Sequence, residues 1–281
     1  MRAVVVGPEG EPAVAEVPEP DGPGDLLRVV ACGLCGSDVE KLDAAHAGAV
    51  LGHEVVAELD DGRRVALVHH ASCGECERCL AGHESTCERF AAPTIRPGGL
   101  AELVRAQAWV EVPAGWPDWL GTMVEPLACV LRGAARVPAG RVLIVGNGFI
   151  GRLFGLVLER RGHDVFAVDT DPRRAGRRPD GPVDAVVLAG RGGVETALAC
   201  VKPGGTVVVF AEAGVIPAGD VYRRELTIVG TRSAAPPYMS EAVALLHDLD
   251  VPEPTVLLLE RFAEGLELHR RRDALKVVFT L

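Results

Sequence analysis

RVLIVGNGFIGRLFGLVLERRGHDVFAVDTD, residues 141–171, reads as strand, turn, helix and strand in one pass. Val142 to Val145 is a short apolar run suited to burial on both faces of a sheet, and Val165 to Val168 is a second one closed by Asp169. Between them Gly146, Gly148 and Gly151 are spaced G-x-G-x-x-G ahead of a helix-period segment ending near Arg161. Glycine at these positions allows a tight turn, lets a pyrophosphate approach backbone N–H groups at a helix N-terminus, and lets the helix lie close on the sheet. Asp169 follows at the spacing of ~20 residues from which an acid accepts hydrogen bonds from ribose hydroxyls. The stretch predicts a Rossmann-type dinucleotide-binding domain.

The parallel sheet is predicted to continue with residues 183–189, 206–211 (after the turn KPGG) and 226–230. Only fourteen residues separate Asp169 from Asp184, too few for the usual helix, strand and crossover helix, so the third strand is expected to be missing. Asp169 favours NAD, because its carboxylate repels a 2′-phosphate; Arg173, Arg174, Arg177 and Arg178 argue for NADP. That counter-argument is discounted, because all basic residues except Lys41, Lys202 and Lys276 are Arg.

At 281 residues the chain suits two domains. Its net charge of -10 disfavours nucleic acid and anionic membrane surfaces as partners. No apolar run reaches the ~18 residues needed to span a bilayer, and no targeting leader opens the chain, so a cytoplasmic location is expected. In that reducing setting clustered cysteines read as metal ligands rather than disulfides.

CGECERCLAGHESTC spaces Cys73, Cys76, Cys79 and Cys87 as C-x2-C-x2-C-x7-C. Four thiolates suit tetrahedral Zn²⁺ and leave no open position, which marks a structural site. The intervening residues are too polar to make a core, so the metal must supply the cross-link. His69, His70 and His83 lie nearby as surface or packing histidines, the four cysteines already completing the shell.

Three further stretches carry reactive groups: ACGLCGSDVEKL with Cys35, Ser37, Asp38 and Glu40, LGHEVV with His53 and Glu54 at a strand start, and MVEPLACVL with Glu125 near a helix start. Taken singly, each has a bland reading as loop, core histidine or solvated helix face. Together with PGGLAELV, KPGGTVVVF, ELTIVGT and the closing ALKVVFTL, these segments resemble the zinc-dependent medium-chain dehydrogenases, most of all the sorbitol/iditol and threonine dehydrogenase-like branch. They occur in family order over almost the whole chain.

The resemblance implies an α/β protein: a β-rich GroES-like catalytic domain, residues 1–117 with 255–281, and a trimmed Rossmann domain with a doubly wound parallel sheet, residues 118–254. It implies a catalytic Zn²⁺ on Cys35, His53 and Glu54, with Glu125 a further or exchangeable ligand, besides the structural Zn²⁺. Ser37 matches the hydroxyl that starts the proton path, and Asp38 the carboxylate that orients the zinc-bound imidazole. Phe149 and Ile150, within the glycine turn, and Lys276 join Gly146, Gly148, Gly151 and Asp169 as cofactor contacts. Substrate and nicotinamide are expected to meet in the interdomain cleft, where Cys35, His53 and Glu125 converge.

The implied reaction is reversible oxidation of a secondary alcohol, in a polyol, cyclitol or sugar derivative, by NAD, in a homo-oligomer (dimer or tetramer). Glu40 departs from the family, where a His often ends the proton relay; it reads as a relay carboxylate, a substrate contact or, the commonest fate of a Glu, a solvated side chain. The thirteen residues Glu40 to Gly52 and the run from Glu54 to Cys73 are short, which implies an open pocket. Cys32 and Cys129 fit family positions without metal roles, and Cys200 reads as a small core residue. A zinc-free quinone reductase of the same superfamily and a non-catalytic homologue with a trimmed fold are the rival readings.

Overall fold

In a computed structural model the chain is described at residues 1–234 and 236–281. It opens with strands β1 (Arg2–Val6), β2 (Pro12–Glu16) and β3 (Asp25–Gly33) and the short helix α1 (Gly36–Glu40). Strands β4 (Glu54–Glu58) and β5 (Arg64–Leu67) lead into the cysteine segment with helix α2 (Glu77–Leu80). Next come β6 (Ile95–Arg96), β7 (Leu103–Ala106), β8 (Trp109–Glu111), α3 (Asp118–Gly121) and α4 (Val124–Ala134). The alternating stretch that follows is β9 (Arg141–Val145), α5 (Phe149–Arg160), β10 (Asp164–Val168), β11 (Val183–Leu188), α6 (Val194–Cys200), β12 (Val201–Val209), α7 (Ala218–Arg224) and β13 (Thr227–Gly230). Helix α8 (Pro236–Leu246), strand β14 (Thr255–Leu258), helix α9 (Phe262–Arg270) and strand β15 (Val277–Thr280) complete it.

Two compact units result. One comprises Met1–Pro126, Ala235–His247 and Pro252–Leu281; the other comprises Leu127–Ala234 and Asp248–Val251. The sequence reading grouped residues 118–254 together, whereas α8 packs on β8 and so falls in the first unit.

The first unit is a half-barrel with strand order β14-β15-β3-β4-β5-β8, with β7 beside the first half of β3. All its strand pairs are antiparallel except β14 with β15. Strand β3 bends at a register shift between Val29 and Ala31, so its first half pairs with β7 and its last residues pair with β15. On β3 the inward Leu27 and Val29 alternate with the exposed Leu26 and Arg28, and with Val65, Leu67 and Val104 they form the core. Phe262 and Phe279 meet at 5.0 Å, and Gly265 lets α9 approach, since a Cβ there would sit 2.5 Å from the Phe279 ring. The fold thereby places the β3–α1 junction beside the start of β4.

In the second unit the strands run parallel in the order β10-β9-β11-β12-β13. This is the doubly wound order without its third strand, as the fourteen-residue gap predicts. Leu143, Val145, Val186 and Val207 pack toward α6, while Ile144 meets α5 at Gly151. Strand β12 starts at Val201, earlier than the sequence suggests, because the KPGG turn lies within its irregular first half. Where a further strand would pair with β10, residues 176 and 177 stand in: Ala167 donates to Arg177 O at 3.0 Å and accepts from Gly176 N at 3.2 Å. The guanidinium groups of Arg177 and Arg141 cover the Phe166 ring at 3.9 and 4.8 Å. No helix among the described residues is long and apolar enough to cross a membrane.

Replacing the fully buried Phe279 by Ala should lower unfolding free energy by about 3–5 kcal/mol in urea titrations. Val215→Ala, at an exposed position, should change it by no more than about 0.5 kcal/mol.

Candidate metal and cofactor sites

All eight cysteines are free thiols. In the cysteine segment the Sγ atoms of Cys73 and Cys79, Cys76 and Cys79, and Cys76 and Cys87 lie 3.9, 3.5 and 4.0 Å apart. A tetrahedron with Zn–S bonds of about 2.3 Å has edges of about 3.8 Å, so the four sulfurs fit Zn²⁺ without rearrangement. Backbone N–H groups of Cys73, Cys76 and Arg89 each donate to a sulfur at 3.3 Å, which favours thiolates. Backbone donors at Glu88 and Cys79 pull the Cys76 thiol down to about 6, whereas burial pushes Cys79 up to about 12. Leu80 is exposed, so the lobe lacks an apolar centre of its own.

A second group forms where β3 ends and β4 begins: ligand atoms of Cys35, His53 and Glu54 lie within 4.8 Å of one another. Asp38 organises them. Its Oδ2 accepts from Cys35 N at 3.2 Å, and its Oδ1 accepts from Gly52 N and faces His53 Nδ1, both at 3.2 Å. Directing Nδ1 to the carboxylate leaves Nε2 as the metal-binding nitrogen. Burial alone would raise the Asp38 carboxyl, but the charge and hydrogen bond of His53 outweigh it and hold it below the ordinary carboxylate range. Burial likewise works against a charged His53, yet Asp38 and Cys35 raise that imidazole well above its usual value.

Glu54 is almost fully buried and pairs with the equally buried Lys276, whose Nζ also donates to Leu34 O at 3.1 Å. Ser37 is exposed on α1, and its hydroxyl donates to Cys35 Sγ at 3.3 Å. His53 stacks on His69 at 4.4 Å, His69 meets His70 at 3.9 Å, and His70 stacks on Phe90 at 3.9 Å. This ladder of rings runs to the segment just past Cys87. Burial and the neighbouring imidazoles push His69 down to about 2, so it stays neutral.

In the second unit Gly146 has φ +95°, and a Cβ there would lie 2.7 Å from Gly190 N. A Cβ on Gly151 would strike the Gly146 carbonyl, while one on Gly148 would meet only the Arg174 guanidinium, at 3.5 Å. The turn thus keeps clear the space over the α5 N-terminus that a pyrophosphate requires. Phe149 is buried and Ile150 half-buried in the first turn of α5. Asp169 closes β10, and its carboxylate accepts from Asn147 N and Asp171 N, both at 2.8 Å. Each oxygen keeps acceptor capacity, so the residues fit a ribose diol.

The alcohol dehydrogenase GroES-like domain matches residues 22–115. L-galactonate-5-dehydrogenase of Escherichia coli (strain K12) is 26% identical over a 269-residue alignment covering 79% of each chain. Sorbitol dehydrogenase of Halalkalibacterium halodurans is 25% identical over 341 positions, 100% of this chain and 99% of that one. The structure of alcohol dehydrogenase TADH from Thermus sp. ATN1 superimposes with a TM-score of 0.85 at 26% identity, covering 100% of both. This chain belongs to the zinc-type medium-chain alcohol dehydrogenase family.

As a zinc-type dehydrogenase of alcohols and polyols, it carries two donor sets consistent with two zinc ions. Three residues named from the sequence have placements that bear on the metal group. Glu125, the further or exchangeable ligand of the resemblance, is buried on the first turn of α4 and lies outside the converging trio of Cys35, His53 and Glu54, in which Glu54 is held by Lys276. The resemblance implies a cofactor contact for Lys276, and in the structure its Nζ pairs with Glu54. Its signal in the sequence was a lysine, one of three in a chain otherwise rich in arginine. His69, read as surface or packing, is a packing residue directly against a metal donor. Glu40 ends α1 exposed.

Asp38→Asn should weaken metal retention at the Cys35 group about 10- to 100-fold and leave the four-cysteine lobe loaded, as read by chelator competition. In chelator-treated protein, the folded Asp38 carboxyl lies below its unfolded value near ~3.9. Its share of stability is therefore present above that pH and lost as pH falls through the folded value, and Asp38→Asn should flatten this acid limb in denaturation midpoints. Lys276→Met should cost about 3–5 kcal/mol by the same assay, because Glu54 is left buried and unpaired.

Proposed function

We propose that the protein reversibly oxidises a secondary alcohol, in a polyol, cyclitol or sugar derivative, to a ketone with NAD. The observation that carries this reading is the convergence of Cys35, His53 and Glu54 around the Asp38 clamp, in a chain that also folds the glycine turn with its acid. Two relatives named for L-galactonate and sorbitol support a polyhydroxylated substrate.

Cys35, His53 and Glu54 would hold a zinc ion, which when bound supplies Lewis acidity toward a hydroxyl. The nicotinamide, when bound, supplies the hydride acceptor. The chain's own residues do the rest. Asp38 fixes the His53 tautomer, and the Lys276 ammonium offsets the charge of Glu54, so the negative donors coexist in a buried place. Ser37 Oγ, exposed next to Cys35, takes the proton of the substrate hydroxyl and passes it to solvent. The four cysteines would hold a structural zinc that braces the half-barrel through the His53–Phe90 ring ladder. Asp169 accepts from the adenosine ribose, and its charge disfavours a 2′-phosphate. Of the four arginines weighed against NAD, Arg173 is paired with Asp171 and Arg177 with Asp164, which supports reading them as structural.

Purified protein should form NADH from polyols, and NAD⁺ should bind at least about tenfold better than NADP⁺; equal affinity would remove Asp169 from that role. Ser37→Ala should lower turnover about 10²- to 10⁴-fold while zinc content, measured by elemental analysis, stays at two per chain. A screen of secondary alcohols and polyols yielding no NADH from the zinc-loaded protein would sink the catalytic reading.

A further inference from the structure

Arg132 is an unexpected charge inside the second unit. It lies in the last turn of α4, is 5% exposed, and donates through Nη1 to Arg232 O at 2.6 Å and to Ser233 O at 3.5 Å. Both acceptors belong to the segment immediately after β13, where Thr231 N still donates to Val209 O at 3.1 Å and extends the sheet ladder. Ser233 has φ +62°, a left-handed conformation that a non-glycine residue keeps only when its surroundings enforce it. A buried guanidinium thus holds a strained turn at the carboxyl end of an edge strand.

We infer that Arg132 is a positioning residue for the nicotinamide end of the cofactor. The inference rests on the dinucleotide reading above. In this sheet the glycine turn and Asp169 belong to the β9–β10 half and would take the adenosine and pyrophosphate, which would leave the carboxyl ends of β11, β12 and β13 to the nicotinamide mononucleotide. In a trans peptide the C=O and N–H point opposite ways. Drawing the Arg232 and Ser233 carbonyls to Arg132 therefore turns the N–H groups of Ser233 and the following residue away from it. That presents two successive backbone donors, a geometry suited to an amide oxygen such as that of the nicotinamide carboxamide.

Calorimetric titration of the full-length protein with NADH and with ADP-ribose separates the two ends of the ligand. Arg132→Met should weaken NADH binding about tenfold and ADP-ribose binding less than about twofold, and Arg132→Lys should recover part of the loss. Equal weakening of both ligands would make Arg132 a general support of the sheet and overturn the inference, as would unchanged NADH affinity in the folded variant. Should Arg132→Met fail to fold, Arg132→Gln, which keeps an NH2 donor on a shorter and uncharged side chain, is judged by the same criteria. If the parent protein binds neither ligand, the dinucleotide reading itself falls, and this inference with it.

Discussion

One buried carboxylate holds the first unit's reactive corner together. Asp38 accepts from Cys35 N, Gly52 N and His53 Nδ1, three groups on two separate pieces of chain. Helix α1 spans five residues, far too few to persist alone in water. Its orientation depends on those bonds and on the strands it joins. Gly52 can take its place only because it lacks a side chain: at φ +98° a Cβ would lie 2.7 Å from Leu100 N. Losing the carboxylate would release α1, the turn before β4 and the imidazole at once, so metal affinity and local order are coupled here.

The same corner gathers Asp38, His53, Glu54 and Lys276, all at most 6% exposed. Buried ions are costly unless paired and hydrogen-bonded. Each has a partner: Asp38 with His53, and Glu54 with Lys276. The half-barrel core around them tolerates this charge because every member is satisfied, which also makes the arrangement rigid.

Much of this was legible in the sequence because it is local. The G-x-G-x-x-G spacing, the apolar runs on either side and the fourteen-residue gap after Asp169 are short-range features, and they determined the strand order and the missing strand. Cysteine spacing likewise anticipated sulfurs 3.5–4.0 Å apart. Asp38 was placed by family pattern, and its three bonds match that role. What the sequence left hidden depends on chain segments that are remote from one another. Lys276 is 222 residues from Glu54, and Arg132 is 100 from Arg232; no periodicity reports such pairs. Glu125 matched a family position, yet the converging donors are Cys35, His53 and Glu54 without it, a matter of angle and distance that spacing does not encode. Nor did the arginines after Asp169 announce that one of them would cap a strand.

That capping has a consequence for how the parallel sheet can grow. Beside β10, the backbone groups of Ala167 are already used by residues 176 and 177, and a guanidinium lies over the neighbouring ring. A second copy approaching this side would meet satisfied amides and bring Arg177 against Arg177. The opposite side ends at β13, which no further strand among the described residues covers. A sheet with one sealed end and one open end can be continued across a twofold axis only once, so association by strand addition stops at a pair and cannot run on into a filament.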